Sequence, residues 1–277
     1  MRRAQVLRGL AALSLTGCGP LRERARVLAH GCVDAPVPPA NGVHVVRGTI
    51  PTRHAATTVR YAIVVPDGAR RLDAVTYHLP GRAADADAAI ALGLGGFFAQ
   101  YLRGGGRPFA LAIIDSGDSY FHPRASGEDR LTVATVEFPR IVRAELGTQS
   151  LREAIIGQSM GGYGALLAAE REPHRYRAVA VAGPAIFPSY EDERGSVGDA
   201  FDGAADFARY DVIAHAGALR GRPVLVRCGR NDPFAPGVRA FARACPTADV
   251  RIDPGCHDDG FWRASASALL EFAGKHL

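Results

Sequence analysis

Glu153-Ala-Ile-Ile-Gly157-Gln158-Ser159-Met160-Gly161-Gly162-Tyr163-Gly164-Ala-Leu-Leu-Ala-Ala169 is the stretch that decides the architecture. A short apolar run, Ala154 to Ile156, enters a Gly-x-Ser-x-Gly turn, and an Ala- and Leu-rich helical stretch leaves it. In a chain with 32 glycines the turn alone would say little. Flanked by a strand and a helix, it reads as a nucleophile elbow. The serine of such an elbow occupies a strained tight turn, where side chains two positions either side would collide. Gly157 and Gly161 answer that steric demand. The helix starting beneath Ser159 brings free N–H groups and a positive dipole end to the place where an oxyanion would develop.

A serine hydroxyl is a poor nucleophile until a neighbouring imidazole takes its proton, and a carboxylate must orient that imidazole. In the chain order serine, acid, histidine, the acid follows a later strand and the histidine follows the last one. Val224-Leu-Val-Arg-Cys-Gly-Arg-Asn-Asp232 supplies a strand, a glycine turn and an aspartate, and Asp253-Pro-Gly-Cys-His257 supplies a histidine beyond the final strand. His215 and His276 also follow Ser159, but they lie in an insertion and at the chain end. Asp258 and Asp259 compete with Asp232 for the role of acid; because adjacent side chains generally point apart, Asp232 is preferred. Ala74-Val-Thr-Tyr-His78-Leu-Pro80-Gly81-Arg82 runs a third strand into a glycine turn where a second oxyanion donor belongs. The backbone N–H groups of Arg82 and Met160 are therefore read as the oxyanion hole. His78 either holds that loop by hydrogen bonding or is a buried structural histidine.

Outward from the elbow, strand-like runs alternate with helical patterns. The strands read as Val43 to Ile50, Val59 to Val65, Asp73 to Leu79, Phe109 to Ile114, Ala154 to Ile156, Ala178 to Val181, Val224 to Arg227 and Val250 to Ile252. The helices read as 84–103, 131–146, 161–172, 237–244 and 260–276. The first strands look antiparallel, and the later alternation predicts a mostly parallel eight-stranded sheet with helices on both faces, an α/β fold. Residues 184–220, with Phe187, Tyr190, Phe201, Phe207 and Tyr210, are too long for a simple connection and read as an insertion of short helices, either over the site or clear of it. Tyr120, Phe121 and His122 are expected at the rim of the pocket.

The amino terminus follows export logic. Met1, Arg2 and Arg3 precede an apolar run from Leu10 to Leu15, and Leu15-Thr16-Gly17-Cys18 resembles the bacterial lipoprotein signal, in which the cysteine is lipidated. Residues 1–17 are thus read as a signal peptide, 18–41 as an Arg/Pro/Gly tether and 42–277 as the folded domain. An extracytoplasmic protein, secreted or anchored to the membrane through Cys18, is expected. The remaining cysteines, Cys32, Cys228, Cys245 and Cys256, suit an oxidising compartment. They admit three pairings, of which Cys228 with Cys256 (leaving Cys32 for Cys245) and Cys245 with Cys256 are both easily drawn; four free thiols are the alternative. Three of the five net positive charges lie in the first 17 residues, so a nucleic-acid partner is not indicated. Asp115-Ser-Gly-Asp118 lacks the spaced carboxylates of a calcium loop, no cysteine or histidine cluster has zinc spacing, and no phosphate-binding glycine string follows a strand. Neither metal nor cofactor is expected.

Taken together, the strand ending His78-Leu-Pro-Gly81, the elbow GQSMGGYGALLAA, CGRND and the terminal CHDDGFW, with Phe261-Trp262, resemble the esterase D-like branch of the α/β-hydrolases over about residues 42–277. That branch includes S-formylglutathione hydrolases, carbohydrate esterases and antigen 85 mycolyltransferases. The resemblance implies an α/β-hydrolase fold with Ser159 as nucleophile, Asp232 as acid and His257 as base. The expected activity is that of a serine carboxylic-ester hydrolase working through an acyl-enzyme, on a small ester or an acyl-lipid or glycolipid. An acyltransferase of the antigen 85 type is the first alternative, and a catalytically silent envelope-binding lipoprotein the second.

Overall fold

A computed structural model of the chain describes residues 31–69 and 71–277; the signal-like start, Cys18 and the tether as far as residue 30 lie outside the described residues. Eight strands, β1 (Val43–Ile50), β2 (Val59–Pro66), β3 (Ala74–Leu79), β4 (Ala110–Ile114), β5 (Arg152–Gln158), β6 (Tyr176–Ala182), β7 (Val224–Gly229) and β8 (Asp249–Asp253), form one sheet in the order β1-β2-β4-β3-β5-β6-β7-β8. β2 is antiparallel to both its neighbours, and every other pair is parallel. This is the mostly parallel eight-stranded sheet that the alternation predicts.

Side chains along a strand alternate between faces, so the sheet divides two cores. Val75, Tyr77, Leu79, Ile155, Val179, Val181 and Val226 point to one of them. Ala74, Ile156, Ala178, Ala180 and Leu225 point to the other, where they meet Phe97, Phe98, Leu269 and Leu270. The central strands are apolar on both sides, as a covered parallel sheet requires. The edge strand β8 is not, its residues alternating between exposed and half-buried.

Helices α1 (Ala86–Ala91) and α2 (Leu94–Arg103) replace the single helix expected over 84–103. They are separated at Gly93, whose φ of +106° takes the chain out of helical geometry. Before α3 (Phe138–Glu145) the helix widens to a π-helical turn over Val133–Glu137; Pro139, which has no N–H to donate, lies just beyond it. Next come α4 (Met160–Arg171) and, within the insertion, α5 (Tyr190–Ser196) and α6 (Ala204–Tyr210); α7 (Ala235–Ala244) and α8 (Asp259–His276) complete the set. The insertion covers the loop after β4. His122 is stacked between Phe201 and Tyr210, at ring distances of 4.9 and 4.8 Å, so Tyr120, Phe121 and His122 are buried rather than on a rim.

The cysteines pair differently from either expected arrangement. Cys32 is bonded to Cys256, with Cα atoms 5.0 Å apart, while Cys228 and Cys245 are buried free thiols. Cys228 and Cys245 both face the first core, whereas Cys256 stands in the loop beyond β8, where the amino-terminal segment reaches it. That segment is a strap over its last ten residues, 32–41. Asp34 pairs with Arg263 at 2.7 and 3.0 Å, and Arg103 donates to the carbonyls of Pro39 and Asn41. An ion pair with a half-exposed carboxylate contributes little, about 0–1 kcal/mol, whereas closing a loop of 224 residues contributes on the order of 5 kcal/mol in the chain-entropy account. The crosslink dominates.

His78 is buried within β3. Its Nε2–H donates to Gln158 Oε1 at 3.1 Å, and Nδ1 meets no partner among the described residues. Burial lowers its pKa from 6.5 to about 4. Burial also lowers His122 to about 4, with Asp206 pulling the other way. Both rings are neutral in the fold but protonate near 6.5 once unfolded, so between pH 6.5 and 4 the unfolded chain binds more protons. Stability present above that window is therefore lost as the pH falls through it. Calorimetry should show Tm falling from pH 6.5 to 4, by about 2–4 °C per kcal/mol lost. His78→Gln should flatten that slope, and a Tm constant across the window would contradict neutral buried rings.

Candidate active site

Ser159 stands between β5 and α4 at φ 54° and ψ −124°, a conformation that costs a non-glycine residue on the order of 1–3 kcal/mol. Its backbone is pinned on both sides: its N–H donates to the Ala182 carbonyl at 3.1 Å, and its carbonyl accepts from Tyr163 and Ala185 at 3.1 and 2.9 Å. The flanking glycines are sterically required. A Cβ on Gly157 would strike the Gly161 carbonyl, and one on Gly161 would strike the carbonyls of Leu79 and Pro80.

The loops after β7 and β8 deliver the two partners. Asp232 Oδ1 accepts the Phe234 N–H at 2.8 Å, and Oδ2 lies 2.8 Å from His257 Nδ1. With Nδ1–H donating to that carboxylate, Nε2 is left to accept, and it lies 2.8 Å from Ser159 Oγ. The Asp232 side chain is fully buried, and that of His257 is 21% exposed, so the ring is open to a substrate on one side only. Phe234 and Trp262 flank the imidazole at ring distances of 4.9 and 4.7 Å. Asp258, the rival acid, serves as a helix cap instead, its Oδ1 accepting the Phe261 N–H at 3.0 Å at the start of α8. His215 bonds back to the Asp211 carbonyl, and His276 packs on Phe272 at the far end of α8. The Cys228 thiol is pushed up by burial and by the Asp232 carboxylate, which keeps it protonated and un-nucleophilic.

Met160 is the first residue of α4, so its N–H has no intrahelical partner. The loop after β3 comes alongside: a Cβ on Gly81 would lie 3.5 Å from Ser159 Cβ. Arg82 follows it. Ser116 staples this loop from the end of β4, its hydroxyl donating to the carbonyls of Gly81 and Ala84 at 2.5 and 2.8 Å. The Arg82 guanidinium reaches out to Asp199 of the insertion at 2.8 and 2.7 Å, so the insertion touches the site. Beside the loop a cleft of about 330 Å³ opens between Pro80, Ala84, Ala88, Leu92, Gln158 and Arg263.

Among the described residues, one cluster of potential metal ligands lies close enough together, Cys32, Cys256 and Asp258, and two of its three members are joined in the disulfide. The roles of Ser116, Asp199 and Phe234 were not read from the sequence. Their contacts cross between distant loops, and no local spacing signals them.

The Esterase family model matches residues 115–271, more than half of the chain. S-formylglutathione hydrolase of Mus musculus is 39% identical over 104 residues, which are 36% of this chain and 37% of that protein. The chain thus matches about a third of the length of this curated relative. A ferulic acid esterase structure superposes with a TM-score of 0.72 at 18% identity, covering 84% of this chain and 98% of that one. An S-formylglutathione hydrolase from Agrobacterium tumefaciens gives a TM-score of 0.70 at 16% identity, covering 88% and 98%. At such identities the superpositions speak for the fold, that of an α/β-hydrolase, and the family match places the chain: it belongs to the esterase family.

Proposed function

We propose that the protein is a serine carboxylesterase that works through an acyl-enzyme on Ser159. The observation that carries this reading is the pair of 2.8 Å hydrogen bonds joining Ser159 to His257 and His257 to Asp232. As Ser159 Oγ attacks the ester carbonyl carbon, its proton passes to His257 Nε2, and the buried Asp232 carboxylate stabilises the imidazolium. The carbonyl oxygen takes up negative charge between the N–H groups of Met160 and Arg82; losing one such donor costs about 3–4 kcal/mol of barrier. His257 returns the proton to the leaving alkoxide, and water then resolves the acyl-enzyme by the same route. The cleft beside the loop after β3, about 330 Å³ and walled by Ala84, Ala88, Ala89 and Ala91, suits a small acyl or alcohol group.

Asp232 depends on a residue that carries no side chain. Gly183, at φ +50°, lies behind the carboxylate, and a Cβ there would stand 2.6 Å from Asp232 Oδ2 and 2.8 Å from the Trp262 ring. Gly183→Ala would therefore push away the oxygen that orients His257.

We further propose export with lipidation at Cys18, a reading supported by the Leu15-Thr16-Gly17-Cys18 string and by a disulfide that suits an oxidising compartment.

On p-nitrophenyl esters, acetate and butyrate should be cleaved faster than palmitate. Ser159→Ala and His257→Ala should each lower kcat about 10⁶-fold and Asp232→Asn about 10⁴-fold, while Asp258→Asn stays within about tenfold; the reverse order for the two aspartates would overturn the assignment of the acid. An excess of acyl-acceptor product over free acid, with trehalose or glycerol present, would replace hydrolysis by transfer. For Gly183→Ala we expect kcat to drop about 10²-fold with KM nearly unchanged, read by the same assay. Metabolic labelling with a radioactive fatty acid should mark the wild type and not Cys18→Ser; equal labelling would remove the anchor.

A further inference from the structure

His257 sits in a five-residue connection, 254–258, between the exposed edge strand β8 and the first turn of α8. The connection belongs to no strand or helix, and it is tied to the β7 loop by the Asn231 N–H to Gly255 carbonyl bond of 2.9 Å. The strap grips this connection and the start of α8 at three points spaced around the histidine. Cys32 is bonded to Cys256, immediately before it. The Val33 carbonyl packs against Gly260, three residues after it, where a Cβ would collide. Asp34 holds Arg263, six residues after it, through two hydrogen bonds. Both cysteines are buried, at 4% and 7% exposure.

We infer that the strap and its Cys32–Cys256 disulfide are positioning elements for His257. The inference rests on the role proposed for that residue as base. Ser159 and Asp232 are fixed by their own strand-to-helix turns, Ser159 through Ala182, Tyr163 and Ala185, and Asp232 through Phe234. The strap therefore bears on the base and leaves the elbow alone; it meets the wall of the cleft at Arg263, which Asp34 holds and which the variants tested below keep. A Ser159–His257 bond of 2.8 Å tolerates little drift, because proton transfer needs the two atoms within hydrogen-bond reach. Loosening the loop should accordingly lower turnover and leave substrate binding intact.

The test compares full-length wild type with Cys32→Ser/Cys256→Ser, and with wild type treated with dithiothreitol after folding, on p-nitrophenyl acetate. The folded fraction is measured by circular dichroism. Per folded molecule, we expect kcat to fall at least tenfold with KM within twofold, and the acid limb of kcat/KM against pH to move by half a unit or more. A crosslink that served only stability would lower Tm and the folded fraction but leave both quantities per folded molecule unchanged, and that result would overturn the inference. If the double variant does not fold, the reduced wild type decides in the same way. His257→Ala is run alongside: if it keeps its activity, the proposed function fails; if it is inactive while the disulfide-free forms keep full kcat, only the role of the strap fails.

Discussion

Two hydrogen bonds of 2.8 Å, Ser159 to His257 and His257 to Asp232, impose the constraint around which this fold is arranged. They join residues 98 and 25 positions apart in the chain. Each end comes from a loop at the carboxyl edge of a parallel strand, and the relative position of those edges is set by ladders of backbone hydrogen bonds running from β5 through β6 and β7 to β8. A one-residue slip in any of these registers would send inward side chains outward. The two apolar cores that fix the register are therefore the remote support of the site.

Around that axis the structure spends stability locally and recovers it nearby. The strained Ser159 backbone is held by three backbone hydrogen bonds and by carbonyls that leave no room for side chains at Gly157 and Gly161. The loop after β3 has its own staples, Ser116 on one side and the Arg82–Asp199 pair on the other. The pair is solvent-exposed and contributes little energy; its effect is to join the insertion to the loop beside Ser159. The aromatic residues of the insertion, packed around His122, give that contact a firm base.

Much of this was legible in the chain. The central strands announce themselves because a sheet covered on both faces demands continuous apolar runs, and Leu111-Ala112-Ile113-Ile114 admits little else. Ser159 was legible because a strained turn selects glycine at fixed offsets. Asp232 and His257 follow from chain order, and the structure brings both beside Ser159. What stayed hidden was long-range. Gly93 splitting a helix depends on one backbone angle, the burial of Tyr120 to His122 depends on aromatic residues some 80 positions later, and the Cys32–Cys256 bond joins segments 224 residues apart. Residues 32–41 pass for tether for the same reason: a strap without apolar periodicity looks like linker until the surface that receives it is known.

The strap also fixes where the polypeptide enters the folded body. Gly31 lies against Asn231, next to Asp232, and the following residue is locked to the loop that carries His257. The residues before Gly31 therefore join the folded body beside the loops after β7 and β8 and not at the opposite end of the sheet. Fourteen peptide units separate Cys18 from Cys32, a reach of at most about 50 Å fully stretched. A bilayer gripping Cys18 would hold this end of the sheet within that distance of the lipid headgroups.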